Sequence, residues 1–492
     1  MIRLTGVSPL KSKIDMLALP VCGDAQMLDD PLLAAIAARA AELDEFSGEA
    51  KQQVILYDPP GSKIKRALCM GIGKQATIEA ETLRAFAGRA VKAAIKAKQQ
   101  SLVIAVPLNG ALTLAEAHIV RAVAEGACLA NHVFDRYRAQ SKDRPLQRIA
   151  LLVPPRAVRR YKALVSSTAV ICGGTLLARE WINIPANHKV PARFASMVTR
   201  ATKDSALKIE VHNDAWLRKH KFGALLAVAS GSVNRPRLVE MTYAPAGAKE
   251  TVVLVGKGVT FDTGGINLKP SSGLSRMKVD MSGAAAVAAT LISLAELKPR
   301  QRVIGVLPLV ENMPSGSATR PGDIVTSFAG KTVEIGNTDA EGRLILIDAM
   351  AYAIKKYQPA TLLDLATLTG ACKVALGDKM AAVFSPDDSL SAQVTAAGDT
   401  THERCWPLPL PEDYKKLLQS DLADINNMPS THYGAAITAA LFLSEFVGHT
   451  RWAHIDIAGP VFDKKGGDYC GPGGTGFGVR LLCDLIQNLD LA

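Results

Sequence analysis

The segment Ile335–Leu346, I-G-N-T-D-A-E-G-R-L-I-L, decides how this chain is read. Asp339 and Glu341 stand two apart, and Arg343 follows two further on. Val333–Ile335 reads as the end of a strand. Beyond Gly342, apolar residues at Leu344, Ile347, Ala351 and Ile354 are spaced to keep one face of a helix dry. A strand-to-helix corner of this kind is where α/β proteins place their chemistry. Thr338 and Glu341 also fit a capping box, in which hydroxyl and carboxylate satisfy the first free amides of the helix. That reading leaves Asp339 and Arg343 unexplained.

Working outward, two upstream stretches carry matching chemistry. V-G-K-G-V-T-F-D-T-G-G-I-N-L-K-P, 255–270, reads as an irregular glycine-rich loop after a strand, and it holds Lys257, Asp262 and Lys269. R-M-K-V-D-M-S-G-A-A-A-V, 276–287, sets Asp280 ahead of a small-residue helix. Lys257, Asp262, Asp280, Asp339 and Glu341 are each expected just past strands of one sheet, which would gather them in space. Several carboxylates in one small site raise each other's pKa unless cations neutralise them, and divalent metals are the usual answer. No histidine lies between His220 and His402, and H-E-x-x-H is absent, which excludes a histidine-based zinc site or a Ser-His-Asp triad here. The donor set suits Zn²⁺, Mn²⁺ or Mg²⁺. Lys257 would join it only as a neutral amine, its proton displaced by a nearby dication.

A chain of 492 residues is too long for one ordinary core. Val54–Tyr57, Ala67–Gly71, Leu102–Val106 and Ile149–Val153 read as strands, alternating with helices over Ile78–Lys98 and Leu112–Val133. Alternation resumes at Lys208–Val211, Leu238–Tyr243 and Thr251–Val255. The fold class is α/β, with two domains, each a mostly parallel sheet flanked by helices. Between them, 154–182 reads as largely helical and opens on the basic cluster Arg156, Arg159, Arg160 and Lys162. A boundary near Ser167 gives a non-catalytic domain over 1–166 and a larger catalytic domain over 167–492.

Charge is uneven. Residues 51–170 hold 20 basic and 7 acidic groups, while the whole chain carries a net +11. The basic first third is a hint about partners, and DNA is the candidate. Eight cysteines without C-x-x-C spacing point to buried thiols in a reducing compartment. The N-terminus lacks a signal-peptide h-region, and no continuous apolar run of about 18 residues occurs, so a cytoplasmic protein without membrane contact is expected. G-P-G-G-T-G at 471–476 is too near the C-terminus to open a dinucleotide-binding βαβ unit, and no P-loop is present.

N-T-D-A-E-G-R-L at 337–344 and the 255–270 stretch resemble the two signature blocks of the leucyl aminopeptidases, the cytosol aminopeptidase family of two-metal exopeptidases. M-K-V-D-M-S-G-A-A-A-V (277–287), R-P-G-D-I-V (320–325), H-I-D-I-A-G (454–459) and G-T-G-F-G-V-R (474–480) are similar to further family blocks. The resemblance implies Lys257, Asp262, Asp280, Asp339 and Glu341 as ligands of two divalent ions, Mn²⁺ or Zn²⁺, with Asp262 and Glu341 bridging. It implies Lys269 and Arg343 as catalytic non-ligands, with bicarbonate held at Arg343. It further implies peptide substrates with a free N-terminus, leucine and similar residues preferred, attack by a metal-activated hydroxide, and a homohexamer. Some bacterial relatives also bind DNA, which makes an aminopeptidase with a DNA-binding N-terminal domain the alternative. Pro460-Val461 depart from the small or hydroxylic residues expected after D-I-A-G.

Overall fold

The computed structural model describes residues 2–7, 14–141 and 143–490. It divides into two compact units, 1–173 with 464–472 and 174–463 with 473–492. The division falls inside the helix Pro155–Asn183, a few residues beyond the boundary read near Ser167. The segment 464–472, which the sequence reading assigns to the second domain, lies with the first unit.

Among the described residues the first unit has six strands: β1 (Ile2–Thr5), β2 (Leu17–Val21), β3 (Gln53–Tyr57), β4 (Arg66–Gly71), β5 (Ser101–Ala105) and β6 (Arg148–Leu152). Their order is β1-β6-β5-β2-β4-β3, and every pairing is parallel except that of edge strand β3 with β4. The chain leaving β2 heads toward β3 and β4, whereas the chain leaving β5 heads toward β6. Connections that part in opposite directions open a crevice at the carboxyl ends of the strands. Ala80–Lys96 is one of the covering helices, and its stripe Leu83, Phe86, Ala90 and Ala94 is fully buried as its 3.6-residue spacing requires.

The second unit has a nine-stranded sheet: β7 (Lys208–His212), β8 (Arg237–Tyr243), β9 (Thr251–Gly256), β10 (Gly258–Asp262), β11 (Arg302–Asn312), then β14 (Thr361–Ala366), β15 (Ala381–Phe384), β16 (Cys405–Pro407) and β18 (Trp452–Asp456). Between them in sequence, β12 (Ile324–Thr326), β13 (Thr332–Glu334) and β17 (Ile425–Asn426) form a separate three-stranded sheet. The large sheet runs β16-β15-β18-β14-β9-β11-β8-β7, with β10 pairing the far end of β11. Its centre, β18-β14-β9-β11, is parallel, and antiparallel strands flank it. A parallel centre is covered on both faces, which is why β9 reads as a continuous apolar run and β14 is buried throughout, its one charge, Asp364, paired with Trp452 and His454. Here too the connections part: the chain leaving β9 returns as β11 on one side, and that leaving β14 returns as β15 and β18 on the other.

Two expectations are corrected. Gly258–Asp262 is a strand, not loop, because its backbone pairs with β11 past the point where β9 ends. The strand before Asp339 belongs to the small sheet, so the candidate residues converge from two sheets rather than one. Helices Pro155–Asn183 and Met277–Leu297 are long and apolar enough to cross a bilayer, and 89% of the apolar window of the second is buried as a core element.

Candidate active site

The crevice between β9 and β14 holds the acidic residues. Lys257 is the single residue between β9 and β10, and Asp262 closes β10. Asp280 ends the short turn Met277–Val279 ahead of the helix Ser282–Leu297. Glu341 opens the helix Glu341–Tyr357, and Asp339 lies in the loop just before it. That helix is buried all round from Glu341 to Met350, whereas Ala351 and Ile354 of the predicted dry face are only half-buried. The capping box is absent: the helix has no side-chain cap, and Thr338 Oγ1 instead donates to the Gly264 carbonyl at 2.6 Å and accepts from the Asn267 amide at 2.9 Å.

All five predicted ligands and Lys269 meet in one network. Lys257 Nζ lies 2.9 Å from Asp280 Oδ1 and 2.8 Å from Glu341 Oε1, and donates to the Thr367 carbonyl at 2.8 Å. Lys269 Nζ lies 2.7 Å from Asp262 Oδ2 and 2.5 Å from Asp339 Oδ1. Asp262, Asp280 and Glu341 are buried, and each offers a carboxylate oxygen within 4.8 Å of the others. Gly342 is required where it stands, since a Cβ there would fall 2.7 Å from Lys257 Cε and Nζ.

Electrostatics follow from that crowding. Burial lifts Asp280 well above the usual carboxylate range, with Glu341 and Asp262 adding to the shift against Lys257 and Thr367. Burial also raises Asp262, helped by Glu341 and opposed by Lys269 and Lys257. Asp339 is raised by burial and by Asp262. For Lys257, burial alone would lower the pKa, but Asp280, Glu341 and Asp262 outweigh it and hold the ammonium above its ordinary value. Lys269 behaves likewise, through Asp262, Glu341 and Asp339. Carboxyls pushed up together mark a place that favours added positive charge.

The residues fit a divalent cation. Asp280 Oδ2 is buried without a hydrogen-bond partner, which costs free energy unless an electropositive group meets it. Oxygen donors with one amine are a hard-to-borderline set. Arg343 is buried one turn into the helix, donating through Nη1 to the Asn427 carbonyl at 2.7 Å and lying over the Phe442 ring. Burial lowers it to about 10 against Glu341 and Asp456, so it stays protonated at neutral pH. Its buried Nε has no partner.

Three supporting residues escaped the sequence reading. Asn312 donates to Asp262 Oδ1 at 2.9 Å and to the Thr338 carbonyl at 3.0 Å. Asn427 accepts from the amides of Gly336 and Asn337 and donates to the Asn337 carbonyl, fixing the loop that carries Asp339. Thr367 donates to Asp280 Oδ1 at 2.6 Å, and only its place at the end of β14 could have singled it out.

A corner of this kind has the donor set of a divalent-cation site at the switch point of an α/β sheet. The cytosol aminopeptidase family model matches residues 176–483 with its catalytic domain and 20–141 with its N-terminal domain. A probable cytosol aminopeptidase of Geobacter sp. (strain M21) is 41% identical over 461 residues, 93% of each chain. Another, of Chlorobium limicola, is 38% identical over 99% of each. A solved structure of the bottromycin maturation enzyme BotP in complex with Mn superposes with a TM-score of 0.87 at 37% identity, covering 96% of this chain and 99% of that one. The chain therefore belongs to the cytosol aminopeptidase family and is a metallo-aminopeptidase.

Proposed function

We propose that the enzyme releases N-terminal amino acids, leucine and similar residues preferred, using two divalent ions, Mn²⁺ or Zn²⁺, held by Lys257, Asp262, Asp280, Asp339 and Glu341. The observation that carries this reading is the buried triad Asp262, Asp280 and Glu341, with oxygens within 4.8 Å and one Asp280 oxygen unpartnered. Asp262 and Glu341 would bridge. When bound, such ions polarise the scissile carbonyl and acidify water to a usable nucleophile near neutral pH.

The chain's own residues do the rest. Asp280 and Glu341 share Lys257, so the lysine would serve as ligand only after the added positive charge displaces its proton to water. Lys269 keeps a fifth of its side chain exposed and turns its ammonium to Asp262 and Asp339, where it can meet the oxygen on which negative charge develops. Arg343 cannot act as a base. Its partnerless Nε suits a small planar anion, and bicarbonate there would carry the proton from water to the leaving amine. The substrate's free α-amine would be held at one ion, restricting cleavage to unblocked N-termini. A cytoplasmic homohexamer is the expected form.

The test is hydrolysis of Leu-p-nitroanilide beside its N-acetylated form, before and after dialysis against a strong chelator and with Mn²⁺ or Zn²⁺ restored. Turnover should vanish with the metal, return with it, and be absent on the acetylated substrate. Activity of the stripped protein, or cleavage of the blocked substrate, overturns the reading.

A further inference from the structure

Lys189 is fully buried, and the charge that acts on it is a like one, Lys278. Its ammonium meets three backbone carbonyls, of Trp181 at 2.8 Å, Ile182 at 3.0 Å and Lys278 at 2.9 Å. Trp181 and Ile182 lie in the last turn of the helix Pro155–Asn183, where carbonyls lack a partner within the helix and the dipole favours a cation. Lys278 lies in the short turn Met277–Val279, which Asp280 ends. Lys278 returns the contact, donating through Nζ to the Asn183 carbonyl at 2.9 Å. The two lysines therefore tie the turn ahead of Asp280 to the end of that helix. Burial pushes the Lys189 pKa down, and Lys278 adds to the shift. Three acceptors at hydrogen-bond distance nonetheless need three N–H donors, which only the ammonium has. A cation is sustained in such a place only by bonds to all of its partners.

We infer that Lys189 is a positioning residue for the metal site: it fixes the backbone of the turn that delivers Asp280, as Thr367 fixes that residue's side chain. The inference rests on Asp280 as a ligand in the function proposed above. Asp280 Oδ1 is taken by Lys257 and Thr367, which leaves Oδ2 as the oxygen for an ion, and its position follows the turn. None of the three carbonyls belongs to a ligand, so the effect of Lys189 reaches the ion only through that turn. Lysine offers three donors at this point, glutamine two and methionine none, so metal affinity should fall in that order.

The test is isothermal titration of Mn²⁺ into the metal-stripped full chain, at a temperature where circular dichroism shows each variant folded. Lys189→Met should weaken Mn²⁺ binding by about tenfold or more, as loss of an outer partner of a ligand does, with Lys189→Gln between it and the wild type. Leu390→Ala, a truncation on the buried face of the helix Asp388–Thr401, should lower the melting temperature and leave Mn²⁺ affinity within about twofold, since distant sites act independently. It separates a positioning role from a general loss of stability. If Lys189→Met does not fold, Lys189→Gln and Lys278→Met decide the matter; the second removes the bond from a half-buried lysine to Asn183. Each should weaken Mn²⁺ by about threefold or more. Wild-type Mn²⁺ affinity in the folded variants, or an equal loss in Leu390→Ala, overturns the inference and leaves the proposed function standing. Failure of the wild type to bind Mn²⁺ overturns that function, and this inference with it.

Discussion

The two units share one architectural device and use it in opposite ways. Each is a largely parallel sheet whose connections part at its middle, between β2 and β5 in the first and between β9 and β14 in the second. In the second, the crevice is crowded with carboxylates and lysines, buried to the point that burial lifts Asp280, Asp262 and Asp339. In the first, a cavity with mainly apolar walls lies at the carboxyl ends of β1, β6 and β5. Strand order thus fixes where a site can be, and the residues just past the strand ends fix what chemistry it has.

The largest effect expected from breaking this contrast is loss of metal from the second crevice. Asp280→Ala or Glu341→Ala should lose bound metal and activity together, and the melting temperature should stop responding to added Mn²⁺, since a ligand stabilises only the state it binds. Metal analysis beside calorimetry checks it. Lys269→Ala should keep its metal and lose about 10²–10³-fold in kcat, the usual worth of one oxyanion partner. Arg343→Ala should lose less and recover partly with added bicarbonate. If either variant loses metal as Asp280→Ala does, its assignment as a non-ligand is wrong.

Smaller effects come from the residues that only orient. Thr367→Val removes the hydroxyl on Asp280 and should weaken metal affinity about 10–100-fold, as outer partners of ligands do. Gly342→Ala forces a methyl against Lys257 and should cost about 1–3 kcal/mol in denaturant unfolding, the usual penalty of overpacking. The smallest expected effect lies in the first unit. Arg156 and Arg160 both pair with Glu116, so part of the local charge is answered internally. If the basic region nonetheless contacts duplex DNA, log K should fall steeply with log salt, and Arg156→Glu/Arg160→Glu should flatten that slope. A flat wild-type slope returns the charge to a solvated surface.

Much of the second crevice was legible in the sequence because its residues cluster in three short stretches whose spacing is tied to strand ends. Asp339, Glu341 and Arg343 fall within five positions, and the structure does bring Lys257, Asp262, Lys269 and Asp280 to the first two. Asn312 and Asn427 were invisible for a physical reason: their partners, the Asp262 carboxylate and backbone groups of 336–338, lie far off in sequence, and a lone asparagine carries no periodicity. The strands of the first unit read to within a residue where apolar runs are continuous, as in β3 and β6. β2 was missed although it is fully buried mid-sheet, because Pro20 argues against a central strand. β10 was missed because Gly256 and Gly258 look like loop, while in fact a Cβ at Gly258 would strike the Pro308 carbonyl at 2.5 Å.

The segment 464–472 has a consequence for how the protein is made. Lys92, on the helix Ala80–Lys96, donates to the carbonyls of Gly467 and Cys470. Gly88, one turn earlier, lets Tyr469 approach so closely that a Cβ would stand 2.6 Å from the tyrosine's own. During vectorial synthesis, domains ordinarily fold in the order in which they emerge. Here the first unit cannot acquire its last piece until the ribosome has passed residue 472, after nearly all of the second unit. A nascent chain arrested anywhere before 464 therefore carries an N-terminal unit in which this face of the helix Ala80–Lys96 is still uncovered.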